Sequence, residues 1–213
     1  MINTRLIVAI AGSVLLSLGS CKKETTKDVS RVLKVPTLEL IGGNFASVPV
    51  GGTYTDQGAT YTGEDGSTVT VQPSENDVST AQPGLYFVRY EQVSASGIFT
   101  TTATRIVAVG YRDNPVDYSG TYLRELTGMN AYVTRVAPGL YKVQNPGGAT
   151  GGHAAVIGYF VEASLNNFIG PFQHDDTAGD LEFADIAFTN TGATWRIIGS
   201  PLYGTGPRVF VKQ

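Results

Sequence analysis

Hydrophobic and polar residues alternate along most of the chain after residue 34, with a period of two. In the stretch at residues 85–93, for example, Tyr86, Val88 and Tyr90 fall on one face and Phe87 falls on the other. A period of two is typical of a half-buried β-strand. Glycine, proline and asparagine separate the alternating stretches, and we find no helical period. The pattern therefore predicts an all-β protein.

The predicted strands form two groups. The first group is predicted at residues 37–41, 47–50, 59–62, 68–72, 85–93 and 99–109, and it indicates a β-sandwich over residues 35–110. Pro49 restricts its strand to a sheet edge, because proline lacks the N–H that a ladder needs. The second group is predicted at residues 120–126, 131–136, 140–144, 154–163, 167–172, 181–188, 194–198 and 208–212.

The second group indicates an antiparallel meander over residues 118–213. Such a meander could close as a barrel, since its last strand needs a partner. Phe168 and Phe172 stand at an even spacing, and we predict both in its core. The polar, proline-containing residues 111–117 predict a linker of restricted motion between the two domains.

The N-terminal segment has the three parts of a secretory leader over residues 1–20. Arg5 provides the positive charge, residues 6–18 are apolar, and Gly19 and Ser20 are small. As a helix the apolar run would span about 20 Å at ~1.5 Å per residue, against ~30 Å for the hydrocarbon core of a bilayer. The segment therefore predicts a cleaved leader and not a transmembrane anchor.

Cys21 follows this leader and is the only cysteine of the chain. The sequence Leu-Gly-Ser-Cys at residues 18–21 resembles the lipobox of bacterial lipoproteins, which implies lipid on Cys21 as the first mature residue. Several acyl chains at ~0.8 kcal/mol per buried CH₂ would anchor the protein to a membrane. The alternative is an ordinary leader with a chance cysteine. Residues 21–34 are charged and predict a flexible tether.

The first domain resembles the bacterial surface Ig-like module, which also occurs as a repeat in an insecticidal crystal toxin. The matching motifs are GTYTDQGA at residues 52–59, VTV at 69–71, PGLYFVRY at 83–90 and ATRIVAV at 103–109. Gln57 departs from the family, which commonly has proline there. The resemblance implies a spacer or presentation role without chemistry, with Tyr86 either as a corner tyrosine or as a plain core residue.

The second domain resembles the carboxy-terminal β-domain of Bacteroidetes surface lipoproteins. The motifs are SGTY at residues 119–122, GLYKV at 139–143, GYFV at 158–161 and GTGPRVFVKQ at 204–213. Such proteins are often encoded beside an outer-membrane glycan importer. The resemblance implies a lipid anchor in the outer membrane, exposure at the cell surface and transporter proteins as partners, but it supplies no site residues.

Charge and aromatic content limit the kinds of ligand that the protein could bind. The chain has 15 basic and 18 acidic residues and a net charge of −3, which argues against nucleic acid as a partner. Tyr159, Trp195 and Tyr203 are the candidates for glycan binding, because sugar rings stack on aromatic faces. The alternative for each is a place in the core of a small barrel.

The sequence contains no motif of a hydrolase nucleophile, a zinc protease or a phosphate loop. His153 and His174 are the only histidines, and the acidic residues 175–180 lack the order of a calcium loop. We therefore predict no metal, no cofactor and no enzymatic activity. The leading hypothesis is a surface lipoprotein that binds glycan or a partner protein. The alternatives are a structural component of an outer-membrane complex and, third, a hydrolase.

Overall fold

A computed structural model describes residues 34–213. The predicted leader, the lipidation site at Cys21 and nearly all of the predicted tether lie outside the described residues. Residues 34–213 form β-strands with one short 3₁₀ helix, Gly151–Ala155, so the all-β prediction is confirmed. Within this described part, no helix has the length and apolarity needed to cross a membrane.

The N-terminal strands form a sandwich of two sheets, as predicted. The strands are β1 (Thr37–Leu40), β2 (Phe45–Val48), β3 (Ala59–Thr62), β4 (Thr68–Val71), β5 (Glu75–Asn76), β6 (Gly84–Val93) and β7 (Thr100–Val109). One sheet has the order β1-β3-β4 and the other has the order β2-β7-β6-β5. Pro49 directly follows β2, which is an edge strand. Tyr86 donates its hydroxyl to the carbonyl of Gln82 at 3.2 Å, as a corner tyrosine does.

A buried carboxylate holds the sandwich together. Asp56 accepts hydrogen bonds from the hydroxyls of Tyr54 and Tyr90 and from the amide of Gly58, and it lies 3.4 Å from the guanidinium of Arg105. Burial acts to raise the pKa of Asp56, but these hydrogen bonds and the charge of Arg105 together lower it. The Thr-Asp-Gln-Gly motif of the Ig-like resemblance therefore has a structural role.

The C-terminal strands form one closed antiparallel barrel. They are β8 (Gly120–Arg124), β9 (Met129–Ala137), β10 (Leu140–Gln144), β11 (Ile157–Ser164), β12 (Asn167–Asp175), β13 (Gly179–Phe188), β14 (Gly192–Ile198) and β15 (Arg208–Lys212). The last strand pairs with the first, which removes both sheet edges. Aromatic side chains fill the interior, and Trp195 stacks on Phe210 with ring centroids 4.1 Å apart. The barrel is therefore solid.

Because the strands alternate in direction, their connections lie at two opposite ends. The proximal end is where the chain enters the barrel, and it carries the turns at residues 138–139, 165–166 and 189–191. The distal end carries the loops at residues 125–128, 145–156, 176–178 and 199–207.

The two domains share an apolar cluster. Leu85 and Ala108 of the sandwich pack with Leu140 and Val161 of the barrel, and all four are buried. The interdomain contacts lie on strands β9 to β12 and at the proximal end. The backbone also joins here, since the amide of Tyr111 donates to the carbonyl of Glu162 at 2.6 Å and the amide of Glu162 donates to the carbonyl of Gly139 at 2.8 Å.

One core prediction is wrong. Phe168 is buried, but Phe172 is 62% exposed. The pairing of β12 with β13 is irregular between Gly170 and Gln173, and this bulge moves Phe172 to the outer face.

Candidate functional site at the distal end of the barrel

Two arginines lie side by side at the distal end, on neighbouring strands. The register of β15 with β8 pairs Val211 with Leu123, and its continuation places Arg124 opposite Phe210. Arg208 is the next inward position on β15, because Phe210 points inward and side chains alternate. Arg124 and Arg208 are therefore diagonal neighbours on the inner surface of the barrel.

Arg208 is almost completely buried, with 6% of its surface exposed. Its two terminal nitrogens donate to the carbonyls of Gly204 and Gly206, both at 3.0 Å. Its guanidinium lies 5.3 Å from the centre of the Tyr203 ring, in a cation–π arrangement. Its Nε is buried and has no hydrogen-bond partner among the described residues. The bonds that Arg208 makes are thus to neutral groups.

Arg124 is half-buried and contacts the loop at residues 145–156. It donates a hydrogen bond to the carbonyl of Gly147 at 2.9 Å. A Cβ on Gly147 would overlap with the ring of Tyr203, and one on Gly148 would lie 2.8 Å from Arg124. The glycines allow the loop to pass between Arg124 and Tyr203.

Tyr203 connects the distal loops to one another. Its hydroxyl donates to the carbonyl of His153 at 3.2 Å, and the two rings lie 6.1 Å apart. The Nδ1 atom of His153 is buried and has no hydrogen-bond partner in the described part of the chain. The ring of Tyr203 is half-buried and forms part of the rim of this end.

The two arginines of the distal end have no ion-pair partner in the described part of the chain. Among residues 34–213, no carboxylate lies within ion-pairing distance of Arg124 or Arg208. Burial lowers the pKa of Arg208, and the charge of Arg124 lowers it further. The carboxylate of Asp175 belongs to this end, but its oxygens accept the amides of Ile157, Thr177 and Ala178.

Trp195 does not provide a stacking surface for a sugar. Its indole is fully buried, packs on Phe160 and Phe210, and donates to the carbonyl of Pro146 at 2.8 Å. It therefore supports the loop at residues 145–156 from the barrel core. Its burial corrects the prediction that it contacts a ligand. Of the three aromatic candidates, only Tyr203 lies at the rim.

Tyr159 lies in a different place. It is partly buried in the apolar cluster between the two domains, and its ring centroid is 6.0 Å from that of Phe45. Burial raises the pKa of its hydroxyl. The structure therefore does not bring Tyr159 together with Tyr203.

The sequence prediction missed Arg124 and Arg208. The available signal was the spacing of Arg208 and Phe210, because two residues that are two positions apart on a strand share a face. That signal does not show that the shared face lies inside a barrel, because closure depends on the pairing of β15 with β8.

An apolar strip lies on the outer surface next to this end. Val209 is 61% exposed and Leu126 is 84% exposed. Together with Val211 they line a shallow pocket of about 270 Å³, which Arg124 and Glu125 also border. We call this set (Leu126, Val209 and Val211) the outer strip.

The acidic residues of the distal end form no metal centre within the described range, since no cluster of three or more ligating side chains occurs there. His174 instead pairs with Asp180 across β12 and β13 at 2.9 Å. This hydrogen bond raises the pKa of His174.

Comparison with known proteins bears on the N-terminal domain. Residues 38–109 match the family model described as bacterial surface protein, Ig-like domain, which is about a third of the chain. The N-terminal domain is thus similar to bacterial surface Ig-like domains. The match ends at the last residue of β7, so it does not extend to the barrel and its distal end.

A solved structure also resembles the chain. It is the crystal structure of the lipoprotein BT2262 from Bacteroides thetaiotaomicron, with 20% sequence identity and a TM-score of 0.41. The alignment covers 84% of this chain and 100% of that one. No curated protein matches the chain.

Proposed function

We propose that the protein is a non-catalytic lipoprotein of the bacterial cell envelope, anchored by lipid on Cys21, and that its barrel binds a carbohydrate through the distal end. The Ig-like domain acts as a spacer that holds the barrel away from the membrane. The Ig-like domain is similar to those of bacterial surface proteins, which supports this location. The resemblance of residues 18–21 to a lipobox supports the anchor.

The observation that carries the proposal is the difference between the two ends of the barrel. The chain enters at the proximal end, and the Ig-like domain packs against β9 to β12. The distal end carries the long loops, with Tyr203 at the rim and Arg124 and Arg208 beneath it. Loops placed on a rigid scaffold are where binding residues concentrate. Because the barrel interior is filled, a ligand would bind at this rim and not in a cavity.

Affinity gels with immobilised polysaccharides test the binding. We expect the purified full chain to be retarded by at least one polysaccharide, and we expect Tyr203→Ala to lose that retardation. Tyr132→Ala is the matched control, because Tyr132 is an exposed tyrosine on β9 of the same barrel. Retardation by no polysaccharide, or equal loss in the two variants, would refute carbohydrate binding at this end.

The anchor is tested separately. Mass spectrometry of the protein isolated from bacterial membranes should give an N-terminal peptide that begins at Cys21 and carries acyl chains. An unmodified thiol or another N-terminus would refute the lipoprotein part of the proposal.

A second candidate function is that of an assembly component which docks on a neighbouring envelope protein. The outer strip favours it, because exposed valine and leucine side chains on a sheet face commonly mark contact surfaces. Val209→Glu should then abolish co-purification with an outer-membrane transporter complex. Val69→Glu, an equally exposed valine on β4, should leave it unchanged.

A further inference from the structure

We propose that the distal end binds an anionic group, the carboxylate or sulfate of an acidic sugar, between the guanidinium groups of Arg124 and Arg208. This inference rests on the proposed function, because it names the ligand class of the same end of the barrel. It assigns the two arginines as the residues that determine specificity for charge.

The first argument is the missing counter-charge. A buried cation is costly unless it is paired, and like charges on diagonal neighbours add to that cost. Arg208 is 6% exposed, and no described carboxylate pairs with it or with Arg124. By contrast, the buried Arg105 of the sandwich lies against Asp56 and donates to two carbonyls. The fold thus neutralises one buried arginine but leaves the distal pair without an acid.

The second argument is the supply of hydrogen-bond donors. A guanidinium has five N–H groups in a planar fork that matches an oxyanion. Arg208 uses two nitrogens for the carbonyls of Gly204 and Gly206, and its buried Nε has no partner in the described chain. Arg124 makes one bond, to Gly147. Donors therefore remain on both side chains, and the buried Nε of Arg208 has an unmet hydrogen bond.

The third argument is access. A Cβ built on Gly204 or Gly206 would meet no atom within 4 Å, so no other segment packs against that face of the loop over Arg208. Arg124 borders the pocket of about 270 Å³ next to Pro207. Arg124 is half-buried and can meet an anion from solvent directly, whereas contact with Arg208 requires the loop at residues 199–207 to move aside.

The acids near this end do not neutralise the arginines. Both oxygens of Asp175 accept backbone amides. Glu125 is exposed and shares the pocket with Arg124, at more than ion-pairing distance. Repulsion from these carboxylates disfavours bulky polyanions, whereas a single carboxylate or sulfate on an otherwise neutral sugar avoids most of it.

Titration of the purified full chain tests the inference. The probes are galacturonate, galactose and inorganic sulfate, each at the same ionic strength set with NaCl, and the readouts are calorimetry and the thermal unfolding midpoint. We expect galacturonate to bind and to raise the midpoint, and we expect galactose to bind more weakly. Sulfate should compete with galacturonate, because it presents the same oxyanion to the two arginines.

Variants locate the site. Arg124→Gln removes the charge but keeps an amide that can bond to Gly147, so it should fold and weaken galacturonate binding by about tenfold, as expected for one charge-assisted hydrogen bond. Arg208→Lys keeps the charge and loses the fork, and it should also weaken binding. Arg196→Gln is the control, because Arg196 is a barrel arginine that pairs with Asp185 and lies outside the site. It should leave galacturonate binding unchanged.

Three results would overturn the inference: galacturonate that binds no better than galactose, sulfate that binds while galacturonate does not, or equal losses in Arg124→Gln and Arg196→Gln. These outcomes are separate from the failure of the proposed function. Polysaccharide gels would still retard the protein if it binds neutral carbohydrate, and only the assignment of an anionic group would then fall.

Discussion

The two ends of the barrel bury charges of opposite sign, and the two charges have different neighbours. At the proximal end, Glu162 is fully buried. Its Oε1 accepts hydrogen bonds from the side chain of Asn114 at 2.5 Å and the amide of Asn166 at 2.8 Å, and its Oε2 has no partner among the described residues. Asn114 belongs to the linker, so the chain itself covers this carboxylate. At the distal end, Arg208 is almost as inaccessible, but it is held by loop carbonyls and the ring of Tyr203 and lies next to a second arginine.

The difference lies in those neighbours, because Glu162 is a single buried carboxylate whereas two arginines share the distal end. Opposite charges stand at opposite ends, and the aromatic core between them keeps them from pairing. The proximal charge is used within the protein, where it joins the linker to the barrel. The distal arginines hold loop carbonyls in a similar way, but two like charges lie together there without an ion-pair partner in the described fold, which is why we assign them to an anionic ligand. The following predictions test this contrast.

The largest expected effect on stability comes from the aromatic core that lies between the two ends of the barrel. Trp195→Ala removes a fully buried indole that stacks on Phe210 and bonds to Pro146. We expect the free energy of unfolding to fall by about 3–5 kcal/mol, which urea denaturation would measure. A loss below about 1 kcal/mol, typical of surface substitutions, would contradict the solid barrel.

The next effect concerns the proximal carboxylate. Glu162→Ala removes an acceptor from the buried Asn114 side chain and from the amide of Asn166, and we expect a loss of about 1–3 kcal/mol in the free energy of unfolding. Glu182→Ala is the matched control, because Glu182 is exposed on β13. Equal stability of the two variants would show that the linker is not held by Glu162.

The junction of the domains depends on a close backbone approach. A Cβ on Gly110 would overlap with the carbonyl oxygen of Glu162. Gly110→Ala should therefore cost about 1–3 kcal/mol and increase proteolytic cleavage in the linker. Gly152→Ala, where a Cβ meets no atom within 4 Å, should behave like the wild type. An unchanged linker in Gly110→Ala would contradict the tight junction.

Loss of a charge at the distal end should change the free energy of unfolding much less than loss of Glu162 does. Arg124→Gln relieves the repulsion on Arg208, so we expect the free energy of unfolding without ligand to change by less than about 0.5 kcal/mol or to increase. Chemical denaturation in ligand-free buffer would measure it. A loss comparable to that of Glu162→Ala would mean that Arg124 is a structural residue.

The smallest expected effect is on the pKa of His174, which pairs with Asp180. The hydrogen bond that His174 donates to Asp180 raises the pKa of His174, so any stability this pair contributes is complete below the ordinary histidine pKa and is lost as the pH rises through the raised value. NMR titration of the imidazole should show that Asp180→Asn lowers this pKa. An unchanged pKa would show that the pair does not form in solution.

Much of the strand pattern could be predicted from the sequence. Alternation at residues 85–93 follows from the two faces of β6, and Pro49 marked the neighbourhood of an edge strand. The bulge that exposes Phe172 could not be predicted, because it depends on how β12 pairs with β13. Burial of Trp195 likewise depends on barrel closure, which no local pattern of residues specifies.

The residues of the candidate site were harder to predict from the sequence than the strands. Aromatic residues drew attention to Tyr203, which does lie at the distal rim, and to Tyr159, which lies between the domains. The arginines carry no motif, since they are separated by more than eighty positions and meet only when β15 pairs with β8. Their importance becomes visible only because no carboxylate among the described residues lies within ion-pairing distance of them.

The most direct test of the central contrast is a crystal structure of the full chain grown with selenate, whose selenium is located by anomalous scattering. We predict a peak between the guanidinium groups of Arg124 and Arg208 and none at the proximal end beside Glu162. A distal end without selenate, while exposed arginines such as Arg196 bind it, would contradict the account.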